Sequence, residues 1–342
     1  MPSKNGHATI TDVARVAGVS VSTVSRFING KGDVSPQAQH AIRGALASTS
    51  YTASPVARSL VGARTRLLGL HAQRLTDEYA SALIHGVVER AEEAGYGLLL
   101  FAASSGAQNP AAPLLRTLPD GLLVVSPTVD DDPVPESGGD RPVVFIEQRD
   151  DGDTGAVVTA TNHEGEIALT RHVLALGHRR IGFVAGSPAL SSSRERLAGF
   201  RAALTEAGVA LAAEMIVPGR NDRDSGLDAG RVLLRRADRP TAIIATNDLE
   251  AVGVLSAARE AGLRVPDDLS VAGFDDLPLA AHAHPPLTTV HQPLAEMGRR
   301  AVEMLIRWIE GTAPDPRRVV LPTRLVIRES CAPPPATLGN GR

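Results

Sequence analysis

The chain has 342 residues, 43% of them hydrophobic and 3% aromatic, with a net charge of −3 and a single cysteine, Cys331. That length supports more than one hydrophobic core, and one cysteine excludes an internal disulfide or a thiolate cluster. With no membrane-length apolar run and no leader pattern, a cytoplasmic protein with no membrane contact is expected.

Residues 9–29 read TITDVARVAGVSVSTVSRFIN. A first helix is predicted over 11–17, with Val13, Ala14 and Val16/Ala17 as its apolar face, ended by Gly18. Ser20 is placed to cap a second helix, because its hydroxyl can accept from an unpaired amide two or three residues on. Val24, Phe27 and Ile28 recur at helical spacing and should face inward. Val21, Ser22, Ser25 and Arg26 are left outside. Two short helices around a glycine turn form a helix-turn-helix pattern, in which Arg26 can fork onto a guanine and Val21 can touch a thymine methyl. The competing reading is a plain helical hairpin with Arg26 as a solvated charge.

Charge favours the first reading. Residues 1–66 carry eight Lys or Arg against two acids, Asp12 and Asp33, a net of +6 that leaves −9 for the remainder. A basic head on an acidic body points to localised phosphate binding. A third helix follows over 35–48, with Pro36 in its first turn and Ala38, Ala41, Ile42, Ala45 and Leu46 as a buried stripe.

Residues 54–62, SPVARSLVG, spell one complete short helix: Ser54 caps, Pro55 opens and Gly62 ends it. Isolated helices below ~12 to 15 residues are marginal in water, so this one should form only against a partner surface, with Val56 and Leu60 as its apolar stripe.

From residue 66 onward strands and helices alternate. Strands are predicted at 67–71, 97–102, 121–125, 143–147, 156–160, 180–185, 241–245 and 269–274. Helices are predicted at 78–94, 163–176, 194–207, 225–236, 247–261 and 294–309. This order calls for parallel sheets with helices on both faces, and the length calls for two lobes. Ligands of such folds bind beyond the carboxyl ends of strands. Glu147, Asn247, Asp248, Asp275 and Gln292 fall at such ends, and Arg196 lies on the helix after 180–185. Arg, Asn, Asp and Gln supply the two-handed hydrogen bonding that grips neighbouring sugar hydroxyls; helix capping or lobe bridging is the alternative. Tyr79 is a candidate for stacking on a sugar ring, or for ordinary core packing.

No G-x-S-x-G elbow, G-x-x-x-x-G-K-[ST] loop, G-x-G-x-x-G fingerprint or H-E-x-x-H pair is present, so no catalytic residue, metal ligand or cofactor is assigned. His282 and His284 sit in a Pro-flanked segment read as surface.

Taken with the head, the motifs at 56–60 (VARSL), 174–182 (LALGHRRIG), 196–200 (RLAGF), 246–248 (TND), 273–276 (GFDD) and 287–293 (LTTVHQP) resemble the lactose-repressor (LacI/GalR) family of transcription regulators over nearly the whole chain. The resemblance implies an N-terminal all-α helix-turn-helix domain, residues 1–53, and a hinge helix with linker, 54–65. It further implies a two-lobed α/β domain of the periplasmic-binding-protein-like (type I) class with parallel sheets, 66–330. Lobe 1 would comprise 66–160 and 292–318, lobe 2 would comprise 161–291 and 319–330, and 331–342 would form a flexible tail.

By the same resemblance Val21, Ser22 and Arg26 read bases, while Thr9, Ser20, Thr23, Ser25 and Asn29 meet the backbone. Leu60, with Val56, Ala57 and Arg58, enters the minor groove, where an apolar wedge kinks the duplex. Arg196, Asn247 and Asp275 contact an effector, joined by Gln292, Glu147 and Tyr79. Asp248 and Asp276, each placed where a helix should begin, are read as capping a helix or bridging the lobes. The combination resembles carbohydrate-responsive members more than purine-responsive ones. The departures are Thr76-Asp77-Glu78-Tyr79 in place of an Asn-Pro-aromatic-aromatic run, Glu147 where aspartate is usual, and Ala53 and Ser54 where proline and asparagine are common.

The expected partners are double-stranded DNA at a pseudo-palindromic operator, a sugar or polyol effector and a second copy of the chain. The alternatives are a carbohydrate-binding or carbohydrate-processing protein, and a DNA-binding regulator with no natural ligand.

Overall fold

The computed structural model describes residues 8–28, 32, 34–51, 64–72, 78–102, 117–125, 141–147 and 155–335. They fall in two compact units, Met1–Leu67 with Pro113–Asp120, and Leu68–Ala112 with Gly121–Arg342.

The first unit contains three helices, α1 (Ile10–Ala17), α2 (Val21–Ile28) and α3 (Pro36–Thr49). Thr9 begins α1 with a reciprocal cap: its Oγ1 accepts from Asp12 N at 3.3 Å while Asp12 Oδ2 accepts from Thr9 N at 2.9 Å. Gly18, at φ 66°, ends it in the left-handed region that favours glycine. Ser20 Oγ accepts from Thr23 N at 3.1 Å, and Ser35 Oγ from Ala38 N at 3.3 Å with Pro36 in the first turn of α3. Val13, Ala14, Val24, Ile42 and Ala45 form the core, flanked by Phe27, Ile28 and Leu46. Val16 does not join it and is 53% exposed. At about 100° per residue Ala17 falls between Val13 and Ala14 on the helix wheel, whereas Val16 falls well outside that arc.

The body comprises, in chain order, β1 (Leu67–Ala72), α4 (Glu78–Glu93), β2 (Gly97–Ala102), β3 (Gly121–Val125), β4 (Val143–Ile146), β5 (Ala156–Ala160), α5 (Asn162–Ala175), β6 (Ile181–Val184), α6 (Ser191–Glu206), β7 (Ile216–Val217) and α7 (Arg223–Leu234). There follow β8 (Ala242–Ala245), α8 (Asp248–Glu260), β9 (Ser270–Ala272), α9 (Pro278–His282), β10 (Thr289–His291), α10 (Leu294–Ile309), β11 (Arg318–Leu321) and β12 (Arg324–Val326).

Six strands form one sheet, in the order β11-β5-β4-β3-β1-β2, and four form another, β7-β6-β8-β9. The registers β1–β3, β3–β4, β4–β5 and β5–β11 are parallel, as are those of the second sheet. β3, β4, β6 and β8 are buried at every residue, as strands covered on both faces must be. Around the first sheet Leu70, Leu123, Val144 and Ile146 pack with Leu83 and Val87 of α4 and Met297, Val302 and Leu305 of α10. Around the second, Phe183 stacks on Phe200 at 4.6 Å, and Leu233, Ile243, Val254 and Val271 form a further cluster. Among the described residues no helix is long and apolar enough to cross a membrane.

The chain passes between the lobes three times, at 160–162, 291–294 and 321–324. Thr161 and Thr323 tie two of these crossings together: Thr323 N donates to Thr161 Oγ1 at 2.8 Å and Thr323 Oγ1 to Thr161 O at 3.1 Å. The last crossing corrects the expected lobe boundary. Residues 319–321 continue β11 beside β5 in the first sheet, and only β12 returns, antiparallel to β10. The pairing partner decides this, and residue pattern does not reveal it.

Residues 331 and 332, expected to open a flexible tail, are instead held in place. Cys331 packs against the second lobe's core, Ala332 N donates to Ser270 Oγ at 3.0 Å, and Ala332 O lies 2.8 Å from His178 Nε2. The Pro-rich composition suggested freedom, but a buried histidine and serine anchor the segment.

Candidate functional site

In the head, α2 presents Val21, 40% exposed, with Ser22 and Arg26 on the face opposite buried Val24. The Ser20 hydroxyl lies 2.8 Å from both Ser22 Oγ and Thr23 Oγ1, so three hydroxyls gather where α2 begins. Amides of a helix start and small hydroxyls are groups that meet phosphate oxygens. Thr9, also expected at the backbone, is committed to capping α1. Arg43 of α3 lies 5.6 Å above the Phe27 ring. Asn29 and the hinge residues Val56, Ala57, Arg58 and Leu60 lie outside the described residues.

In the body, four of the expected effector residues form one connected cluster around Arg196. This guanidinium lies in α6, 3.7 Å over the Phe274 ring, with Nη1 3.0 Å from Asp275 Oδ1 and donating to Thr246 O at 2.7 Å. Its Nε donates to Asn162 Oδ1 at 2.9 Å and its Nη2 to Gln292 Oε1 at 2.8 Å. The same two amides then donate to Glu147: Gln292 Nε2 to Oε1 at 2.8 Å and Asn162 Nδ2 to Oε2 at 3.3 Å.

Arg196, Asp275, Asn162, Gln292 and Glu147 are between 0% and 4% exposed, so these bonds are shielded from water. Glu147 follows β4 at φ 67°, and Asp275 and Asp276 have φ 109° and 58°. Such backbone conformations are costly for non-glycine residues and persist where the surroundings hold them. Sequence reasoning missed Asn162. It stands just beyond the carboxyl end of β5, where the signal that marked Glu147 and Gln292 applies equally.

The other expected residues go elsewhere. Asn247 caps α8, its Oδ1 accepting from Glu250 N at 2.8 Å, while its Nδ2 donates to Asn221 O at 3.3 Å. Asp248 is therefore not a cap: it is the first helical residue, and its carboxyl accepts from Leu277 N at 2.8 Å and Thr289 Oγ1 at 2.6 Å. Asp276 caps no helix either, pairing with Arg328 Nη2 at 2.6 Å and His291 Nδ1 at 3.0 Å. Tyr79 packs half-buried against the first lobe's core.

Burial dominates the electrostatics. It pushes the Glu147 carboxyl up to about 7, opposed by the nearby Arg196 charge and the Gln292 bond, and assisted by Glu195 and Asp275. Burial raises Glu166 to about 8 and Glu250 to about 7, and holds Asp248 well above the usual carboxylate range.

Comparison with known proteins places both units. Residues 9–54 match the family described as bacterial regulatory proteins, lacI family, and residues 170–331 match the periplasmic binding protein-like domain. The HTH-type transcriptional repressor PurR of Photobacterium profundum is 36% identical over 329 residues, covering 94% of this chain and 98% of the relative. The structure of a lac repressor dimer bound to operator and the anti-inducer ONPF has a TM-score of 0.82 at 28% identity, covering 95% of this chain and 99% of that one. The complex of the transcriptional regulator CelR with cellobiose has a TM-score of 0.74 at 33% identity, covering 95% of this chain and 100% of that one.

Proposed function

The chain belongs to the lacI family of bacterial regulatory proteins, and from that premise we propose that one part of it chooses a DNA site while another part decides when the site is held. It is a sequence-specific DNA-binding transcription regulator. It acts as a repressor, in the cytoplasm, as a homodimer on a pseudo-palindromic operator. Val21, Ser22 and Arg26 meet base edges; Thr9, Ser20, Thr23, Ser25 and Asn29 meet the backbone; Leu60, flanked by Val56, Ala57 and Arg58, enters the minor groove. Its role is regulatory, and no chemical step is assigned to it.

The effector is a sugar or polyol held around Arg196. The observation that carries this is the buried cluster of one guanidinium, two carboxylates and two amides at the carboxyl ends of strands from both sheets. These planar groups grip paired hydroxyls, and a solved relative holds cellobiose. Asp275 and Gln292 join Arg196 in it and Glu147 closes it from the first lobe, while Asn247 and Tyr79, expected to join them, have their own partners in the structure. Ligand-dependent movement of the lobes changes DNA affinity through differential binding to two states.

A second reading, a regulator with no natural ligand, is favoured by one observation: Arg196 already has protein partners at all three nitrogens. Binding of the protein to DNA upstream of its own gene, titrated with and without a panel of sugars and polyols, tests both. A sequence-specific complex that weakens or tightens with one compound supports the proposal. Absence of any specific complex sinks the DNA-reading assignments, while a specific complex that no compound shifts, with no calorimetric binding, leaves the second reading.

A further inference from the structure

The contacts between Arg196 and Glu147 have a polarity that restricts how they can be made. A guanidinium only donates and an ionised carboxylate only accepts, so neither can exchange roles with what lies between them. A carboxamide has both functions. Asn162 and Gln292 each turn the carbonyl to Arg196 and the NH2 to Glu147. Flipping either amide would set NH2 against the guanidinium and carbonyl against the carboxylate, so both orientations are forced. The result is a closed ring: two nitrogens of Arg196, two amides in parallel, and both oxygens of Glu147.

The ring's members come from both lobes. Glu147 follows β4 of the first sheet, and Arg196 lies on α6 beside the second. The amides occupy the crossings: Asn162 opens α5 directly after Thr161, and Gln292 lies between β10 and α10 with its own N–H donating to Asp275 O at 3.2 Å. Rotation of one lobe against the other displaces these crossings and pulls at the ring.

We propose that Asn162 and Gln292 are positioning residues whose amides latch the two lobes together by bridging Arg196 to Glu147. This rests on the effector assignment for its meaning in regulation: a polyol gripping Arg196 or Glu147 competes with an amide for the same atoms, so ligand entry opens the latch. The bridge itself requires neither effector nor DNA.

The test exploits the forced polarity. Nitroxide labels on cysteines introduced at the exposed Glu92 of α4 and Glu214 ahead of β7 report the distance between lobes in the full chain. Four proteins are compared at pH 8, above the value of about 7 at which Glu147 titrates: the parent, Glu147→Gln, Gln292→Glu, and the double exchange. Glu147→Gln leaves two amide donors facing one amide, and Gln292→Glu sets two carboxylates together, so each alone should broaden the distance distribution and lower the melting temperature. The double exchange reverses donor and acceptor and restores the bond, with the introduced carboxylate still accepting from Arg196, so both readouts should return toward the parent. Asn162→Ala should broaden the distribution on its own.

If Gln292→Glu fails to fold alone but the double exchange folds, the latch is supported. Four indistinguishable distributions, or a double exchange no closer to the parent than the worse single, would overturn it. Since the samples contain neither DNA nor sugar, that failure would leave the DNA-binding and effector assignments standing.

Discussion

Arg26 is exposed on the outer face of α2, one turn beyond Ser22. A forked guanidinium on a guanine contributes ~1 to 3 kcal/mol of discrimination against the wrong base. Arg26→Ala should therefore lose about that much preference at one position of the site while retaining most non-specific binding, measured by competition between cognate and single-base-changed duplexes. Equal loss on all sequences would make Arg26 a phosphate contact.

The buried acids make the stability of the fold depend on pH. A carboxyl whose folded value is raised binds more protons in the folded than in the unfolded chain, so the stability it allows at low pH is lost as pH climbs through that value. Glu147 and Glu250 rise from 4.5 to about 7 and Glu166 to about 8, each mainly through burial. Burial lowers His172 and His178 from 6.5, which works in the opposite direction, but below that pH. The loss therefore runs upward from about pH 4.5 and is nearly complete by about pH 8; from about pH 6.5 to 8 the acids act without that opposition, and the urea midpoint should fall. Glu166→Gln should flatten the upper part of that fall; a parent profile that is level or rising across the window would contradict the assignment.

At this scale the sequence was informative about residue type and strand end, which singled out Arg196, Asp275, Gln292 and Glu147. It could not separate Asn247 from Asp248. Which of two adjacent polar residues caps α8 depends on where the helix starts to within one residue, and only the observed cap geometry settles that.

The elements were more legible than the residues. Apolar periodicity and flanking glycines located α4 and α10 to within a residue, because both have long amphipathic faces. The short β7, β10, β11 and β12 and the five-residue α9 were not all separable from loops, since two to five residues show no period. Close packing between elements was invisible for a related reason: a glycine inside a helix looks unfavourable until its neighbour is known.

Gly253 of α8 illustrates this. A Cβ there would collide with the Arg223 carbonyl of α7, so the two helices approach at that point only because the side chain is absent. Gly44 of α3 has nothing within 4 Å of a built Cβ. Gly253→Ala should destabilise the body by ~1 to 3 kcal/mol through overpacking, whereas Gly44→Ala should stabilise the head by ~0.5 to 1 kcal/mol through helix propensity. Thermal melts of the two variants check this, and the same sign for both would refute the packing argument.

For the whole molecule, the uneven charge and the alternation of strands and helices in the sequence already separated a basic reading head from a two-lobed body. Lobe membership near the carboxyl terminus was not readable, because β11 and β12 are two residues apart yet pair in different places. The three crossings that result place Asn162 and Gln292 between Arg196 and Glu147, hydrogen-bonded to both.

Occupancy around Arg196 should be energetically coupled to operator binding at the head. The most direct measurement is operator affinity, with and without saturating effector, for the parent and for Arg196→Ala. Coupling in such systems is ~1 to 3 kcal/mol. The parent's operator Kd should shift by about 5- to 150-fold, and Arg196→Ala should still bind operator but lose the shift. An operator affinity indifferent to a compound that calorimetry shows to be bound, or an Arg196→Ala protein that responds like the parent, would contradict it.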